Sequence, residues 1–230
     1  MRDGIIRERR LRLERLRWTR GWLLLVLISL LAMIVLYSVL REHTGLLGLG
    51  LTGVLLGTFS ALDRSRRDWM LALALAIPHV LLIALHEPGI DPVGMRVAGQ
   101  ILGMLFYGYV AYVILAHVLR ARVVVADTLY GAASAYLLLA LVWALGYAVL
   151  DTYQPGAFAG ADARLAWDDF VYFSVVTLTT LGYGDIEPVT AEARSLVMLE
   201  VVVGVFYTTV VLARLVGLYI VQATTESHEA

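Results

Sequence analysis

Hydrophobic residues in this 230-residue chain fall into long blocks separated by short polar connections. A helix needs about 20 mostly apolar residues to cross a hydrocarbon core of about 30 Å. Six blocks have that length, at roughly 21–40, 45–62, 69–86, 97–119, 129–150 and 194–220. A seventh apolar piece, 170–181, lies between the last two and is too short to cross. The pattern predicts six spanning helices and one segment that enters the membrane and leaves on the same side.

Composition agrees with a membrane protein. Hydrophobic residues make up 60% of the chain and charged residues 16%, a ratio foreign to soluble domains. There is no cysteine, which excludes disulfides and thiolate metal sites. His43, His79, His86 and His117 have no metal-ligand spacing and read as interfacial or packing residues. No P-loop, nucleophile constellation or metal cluster stands out, so no enzyme activity and no cofactor are expected. Residues 1–20 and 222–230 leave no room for a nucleotide-binding, calcium-binding or tetramerisation domain in this sequence.

Charge sets the expected orientation. All eighteen basic residues are arginine, and eight fall in residues 1–20. Arg64, Arg66 and Arg67 follow the second block, and Arg120 and Arg122 follow the fourth. The alternate connections hold Arg41 alone, or the acids Glu87 and Asp91. Because cytoplasmic loops collect arginine, both termini are expected in the cytoplasm of a cell (plasma or inner) membrane protein. The first block is too long for a cleaved signal peptide and lacks a following cleavage site. The basic segment 1–20 also interleaves Ile5, Ile6, Leu11, Leu13, Leu16 and Trp18 with arginine, as an interfacial helix on anionic lipid would. The apolar spacing fits a helix face poorly, so the simple topogenic role is preferred.

The connection 151–193 breaks the apolar pattern with TLTTLGYGD at 177–185. Irregular backbone at membrane depth is tolerated only inside protein or along a watery path. The expected geometry is a short helix over 168–180 dipping inward, started by Asp168 and Asp169, and a loop at 180–185 climbing out. The two acids suit the positive end of a helix; its negative end would face a cation. Gly182 and Gly184 can take positive φ without a Cβ penalty. Alternated with Leu181 and Tyr183, they let successive carbonyls point one way.

Thr180-Leu181-Gly182-Tyr183-Gly184-Asp185 resembles the potassium-channel signature, whose carbonyl rows replace the hydration shell of K⁺. The resemblance extends over about 129–220. Phe170–Thr180 is similar to a pore helix, with Tyr172 and Phe173 at the aromatic-cuff positions. Pro188, Val189, Thr190 and Arg194 resemble the exit into an inner helix, and Gly204 falls at the usual hinge glycine. The resemblance implies an all-α integral membrane protein of voltage-gated-channel-like architecture. It would divide into a segment 1–20, a four-helix domain 21–122, a pore domain 123–221 and a tail 222–230. Within the pore domain it implies outer helix 129–150, pore helix 168–180, filter 180–185 and inner helix 194–220. It further implies a homotetramer that conducts K⁺ passively, with K⁺ held at Thr180, Leu181, Gly182 and Tyr183. A weakly selective cation channel and a non-conducting sensor or structural subunit are the alternatives; the intact Gly184-Asp185 favours selectivity.

Two departures from the family bear on mechanism. Leu181 replaces the usual valine, a conservative change because the carbonyl acts. Val176 stands where some prokaryotic members carry a glutamate that bonds the filter aspartate, so Tyr172 is the candidate support for Asp185. The fourth block carries Arg96 and Arg120 at its ends and only His117 between them, which removes the arginine ladder of a voltage sensor. Gly53/Gly57 and Gly99/Gly103 offer close helix contacts in the peripheral domain. Glu200 sits inside the last apolar block, where an ionisable residue is a functional candidate. It is read as a structural hydrogen-bonding group behind the filter, in a position to take over from the missing glutamate, as a protonatable gating group, or as a group facing the ion path. Thr208, Thr209 and Leu212 are candidates for lining the cavity, and Arg214 for snorkelling to the inner interface.

Overall fold

The computed structural model describes residues 21–39, 44–62, 65–85, 92–160 and 165–229. The arginine-rich segment 1–20, and with it the lipid-binding expectation, lies outside the described residues, as do Arg41, His43, Arg64, His86, Glu87 and Asp91. Seven helices and one two-residue strand pair are described. They are α1 (Trp22–Val39), α2 (Thr44–Ala61), α3 (Arg66–Ala84), α4 (Val93–Arg120), α5 (Ala126–Tyr153), β1 (Phe158–Ala159), α6 (Trp167–Leu178), β2 (Glu187–Pro188) and α7 (Ala191–Glu229). The protein is an all-α multi-pass membrane protein.

Among the described residues, α3, α4, α5 and α7 are long and apolar enough to cross a membrane. Helices α1 and α2 have 18 residues each, which at 1.5 Å per residue is about 27 Å. The last helix is longer than its apolar block requires: its backbone continues through residues 222–229 without a break.

The most extensive helix contact is between α4 and α5. Phe106, Val110, Val113, Ile114 and Val118 of α4 are buried there, with Ala135, Leu138, Leu141 and Ala144 of α5. Small residues on α5 bring the helices close. A Cβ on Gly131 would lie 3.0 Å from Val118 and 3.1 Å from Leu23, so this glycine sits under both α4 and α1. The connection between α4 and α5 is only Ala121–Val125. So short a link makes α4 fold back along the α5 of its own chain, and α1 packs on α5 and α6 as well. Helices α1 and α4 therefore rest on α5 of their own chain.

Glycine spacing in the peripheral helices works unevenly. On α4, a Cβ added to Gly99 would lie 3.3 Å from Leu82, and Gly103 backs onto the His79 ring. Gly57 of α2 faces the Trp22 ring, whereas Gly53 meets nothing within 4 Å. His79 is buried, and its Nδ1 lies 2.9 Å from the Gly99 carbonyl. It is a packing histidine at the α3–α4 contact.

Candidate functional site: the loop after the short helix

Helix α6 starts where its sequence predicts. Asp169, in its first turn, accepts a hydrogen bond from Ala166 N at 2.7 Å, which ties down the helix start. Phe170 and Phe173 on the buried face meet Phe158 of β1 and Tyr147 of α5, with ring centroids 5.1–5.7 Å apart. This aromatic cluster fixes the roll of α6. The helix ends at Leu178, two residues short of the sequence expectation, with Thr179 as its cap.

The loop that follows has the backbone its sequence suggested. Positive φ occurs at Thr180 (60°), Gly182 (58°) and Gly184 (76°), with Leu181 and Tyr183 between them. Thr180 is the one non-glycine residue in that region among the described residues, where a Cβ is normally disfavoured. Its amide donates to Thr177 O at 2.9 Å. The amides of Leu181 and Gly182 donate to Val176 O at 2.9 and 3.3 Å. Val176 therefore supports the loop with its main chain, although its side chain cannot bond Asp185.

The loop's outer end is held by side chains. Tyr172 Oη donates to Asp185 Oδ2 at 2.6 Å, and Ile186 N donates to Asp185 Oδ1 at 3.1 Å. Strands β1 and β2 pair antiparallel, Phe158 with Pro188 and Ala159 with Glu187. Val189 N adds a bond to Ala157 O at 2.8 Å, and Arg194 Nε one to Pro188 O at 3.2 Å. Thr190 Oγ1 accepts from Ala193 N and caps α7. Thr179 to Asp185 are exposed in the single chain, as is most of α7 beside them.

Behind the loop lies a polar cluster. Glu200 is fully buried. Its Oε1 is 2.5 Å from Ser174 Oγ of α6, and its Oε2 accepts from Tyr147 Oη of α5. Ser174 Oγ is also 2.7 Å from Ala140 O of α5. This placement corrects two of the sequence readings. Glu200 does not face the open side of the chain, and it does not take over the bond to Asp185, which Tyr172 makes. The helix geometry explains why: Glu200 lies a turn above Gly204, level with the middle of α6 rather than with the loop's outer end.

Gly204 is a contact residue. A Cβ there would come 2.5 Å from Leu178 O and 3.0 Å from Leu178 Cδ1, so only glycine lets α7 reach the end of α6. Helix α7 runs through Gly204 unbroken. Two tyrosines complete the seam: Tyr136 Oη donates to Leu178 O at 2.8 Å and Tyr207 Oη to Ala132 O at 2.6 Å. Sequence reasoning missed Tyr136, Tyr147, Ser174 and Tyr207. Their signal was a set of lone polar groups in apolar helices, legible only once the facing helix is known.

Further along α7, Thr208, Thr209 and Leu212 are exposed in the single chain, with Thr208 Oγ1 bonded to Gly204 O at 3.0 Å. Arg214 donates from Nη2 to Ala121 O at 3.3 Å, and Gln222 Oε1 accepts from Val124 N at 3.3 Å. Arg214 thus reaches the α4–α5 connection rather than only the interface expected of it.

The ion-channel family description matches residues 135–220, which hold most of α5, all of α6, the loop and most of α7. This stretch is similar to an ion-channel domain. The chain is also 42% identical over 60 residues to two-pore potassium channel 4 of Arabidopsis thaliana. That alignment covers 26% of this chain and 21% of the plant protein, so the chain spans about a fifth of the curated relative it matches. No solved structure matches the chain. The potassium-channel resemblance read from the signature residues is borne out by these two matches; helices α1 to α4 lie before residues 135–220.

Proposed function

We propose that the chain is a K⁺-selective channel subunit that works as a homotetramer and passes K⁺ through a filter formed by Thr180, Leu181, Gly182, Tyr183 and Gly184. The observation that carries this reading is the alternation of positive φ at 180, 182 and 184. It turns successive carbonyls to one side of the strand, the geometry that can stand in for a hydration shell. One loop supplies only a quarter of a cage. The exposed loop and the exposed apolar residues of α7, including Val202, Phe206, Val210 and Leu212, are available to neighbouring copies around a fourfold axis.

Both termini are assigned to the cytoplasm, with the α4–α5 connection on the same side and the loop opening outward. Six crossings, the division into a peripheral four-helix unit and a pore unit, and passive conduction without a cofactor belong to the same proposal. The relative's name, a potassium channel, supports the choice of ion. The direct test is size analysis and K⁺ flux on purified protein in liposomes. Tetramers that carry K⁺ flux agree with the reading; a homogeneous dimer with full flux contradicts it, since two loops cannot close the cage.

A further inference from the structure

The cluster at Glu200 carries more protons than it first shows. Three oxygen pairs are in hydrogen-bonding contact: Tyr147 Oη with Glu200 Oε2, Ser174 Oγ with Glu200 Oε1 at 2.5 Å, and Ser174 Oγ with Ala140 O at 2.7 Å. Each contact needs one proton. The Tyr147 phenol supplies one and the Ser174 hydroxyl supplies one; a main-chain carbonyl supplies none. If the Glu200 carboxyl group were ionised, one pair of oxygens would face each other with no proton between them. With Ser174 donating to Glu200, that pair is Ser174 Oγ and Ala140 O, in contact without attraction. With Ser174 donating to Ala140 O, it is Ser174 Oγ against a carboxylate oxygen, which is worse.

One arrangement satisfies all three. Tyr147 donates to Oε2, protonated Oε1 donates to Ser174 Oγ, and Ser174 donates to Ala140 O. The surroundings agree. Glu200 is fully buried, its polar contacts among the described residues are Ser174 and Tyr147, and the titratable groups near it, Tyr136 and Tyr147, both belong to α5. Among the described residues no cation stands by to balance a carboxylate, and an unpaired buried charge is far more costly than a neutral hydrogen-bonded group.

We propose that Glu200 is a protonated, uncharged hydrogen-bond relay that fastens the short helix α6 to both α5 and α7, and so acts as a positioning residue for the filter. The relay joins three helices at mid-height of α6, one turn above the point where Gly204 receives Leu178. A movement of α7 would be transmitted to α6 through this junction. The positioning role rests on the proposed filter function; the protonation state does not.

Two readouts keep those apart. The first is the infrared difference spectrum of full-length protein, wild type minus Glu200→Gln, at neutral pH. A protonated-carboxyl C=O band is expected, and a carboxylate band in its place overturns the relay whether or not the protein conducts. The second is the K⁺/Na⁺ permeability ratio. Glutamine can donate to Ser174 and accept from Tyr147, so Glu200→Gln should keep the wild-type ratio to within about twofold, because the hydrogen bonds are conserved. Ser174→Ala and Glu200→Ala should lower it several-fold in proteins that still assemble. Equal ratios in all four overturn the positioning role. If wild type itself fails to discriminate, the filter proposal falls while the infrared band still decides the relay. Should Glu200→Ala not assemble, Ser174→Ala, which removes only one hydroxyl, carries the comparison.

Discussion

Tyr172 and Asp185 are joined by a 2.6 Å hydrogen bond that crosses from the short helix to the outer end of the loop. It ties the loop to the short helix at a place where Val176 has no polar group to offer. Tyr172 reaches the loop from the exposed face of α6, on the far side from Glu200. The proposed filter would thus be supported at two levels by different chemistry: an exposed phenol–carboxylate pair outside and the proposed buried relay behind.

Removing the outer strut should loosen the outer end alone. Tyr172→Phe keeps the ring and deletes one hydrogen bond. Tetramers should form normally, while the conducting state should decay several-fold faster when external K⁺ is low. Macroscopic current decay after K⁺ removal checks this, and an unchanged decay would show that Asp185 is held by something other than Tyr172.

The loop glycines should tolerate no side chain. Gly182 has φ 58° and meets nothing within 4 Å in the single chain, so the penalty at this site is conformational. A methyl group at positive φ costs about 1–2 kcal/mol and redirects the adjoining carbonyls. Gly182→Ala should give tetramers of normal size that carry no K⁺-selective current. Single-channel recording in bilayers is the measurement, and wild-type selectivity in the variant would refute the carbonyl account.

Gly204 separates a contact role from a hinge role. Because its Cβ would press on the main chain of Leu178, Gly204→Ala should act as overpacking, a destabilisation of about 1–3 kcal/mol. The thermal midpoint of the purified protein should fall. A midpoint equal to wild type, with altered opening alone, would return Gly204 to the hinge reading.

How much of this was legible in the sequence differs by level. The helices were, because blocks of apolar residues at crossing length admit few alternatives, and the loop was, because Gly182 and Gly184 announce positive φ. Thr180 was less so: nothing in a threonine signals φ of 60°, and its conformation is imposed by the amide bond to Thr177 O and the turn out of α6. The outer strut could be anticipated from Tyr172 and Asp185 once Val176 was seen to lack a carboxylate. Glu200 was visible as a costly residue, yet its partners were not, since Tyr147 and Ser174 lie 53 and 26 positions away and only helix packing brings them together. The same holds for Gly204, whose meaning lies in the carbonyl facing it.

Voltage should matter little. Moving one elementary charge through 100 mV releases about 2.3 kcal/mol, and steep gating uses about 3–4 such charges per subunit. Helix α4 carries Arg96 in its first turn and Arg120 as its last residue, with only His117 between them near its C-terminal end. In the proposed topology Arg96 and Arg120 lie at the two interfaces and need not cross the field. Open probability should vary shallowly across the range of membrane potentials, and what dependence exists should shift with external K⁺ as ions move in the filter. Conductance–voltage curves in symmetric K⁺ provide the check; a gating charge of several units per tetramer, unaffected by permeant ion, would contradict it.

The central claim is that a carbonyl row at Thr180–Gly184 distinguishes K⁺ from Na⁺. It is tested most directly by the reversal potential of purified protein in a planar bilayer with K⁺ on one side and Na⁺ on the other. The account predicts a reversal potential that tracks the K⁺ gradient and is insensitive to Na⁺ concentration. A reversal potential that responds equally to both cations would contradict it.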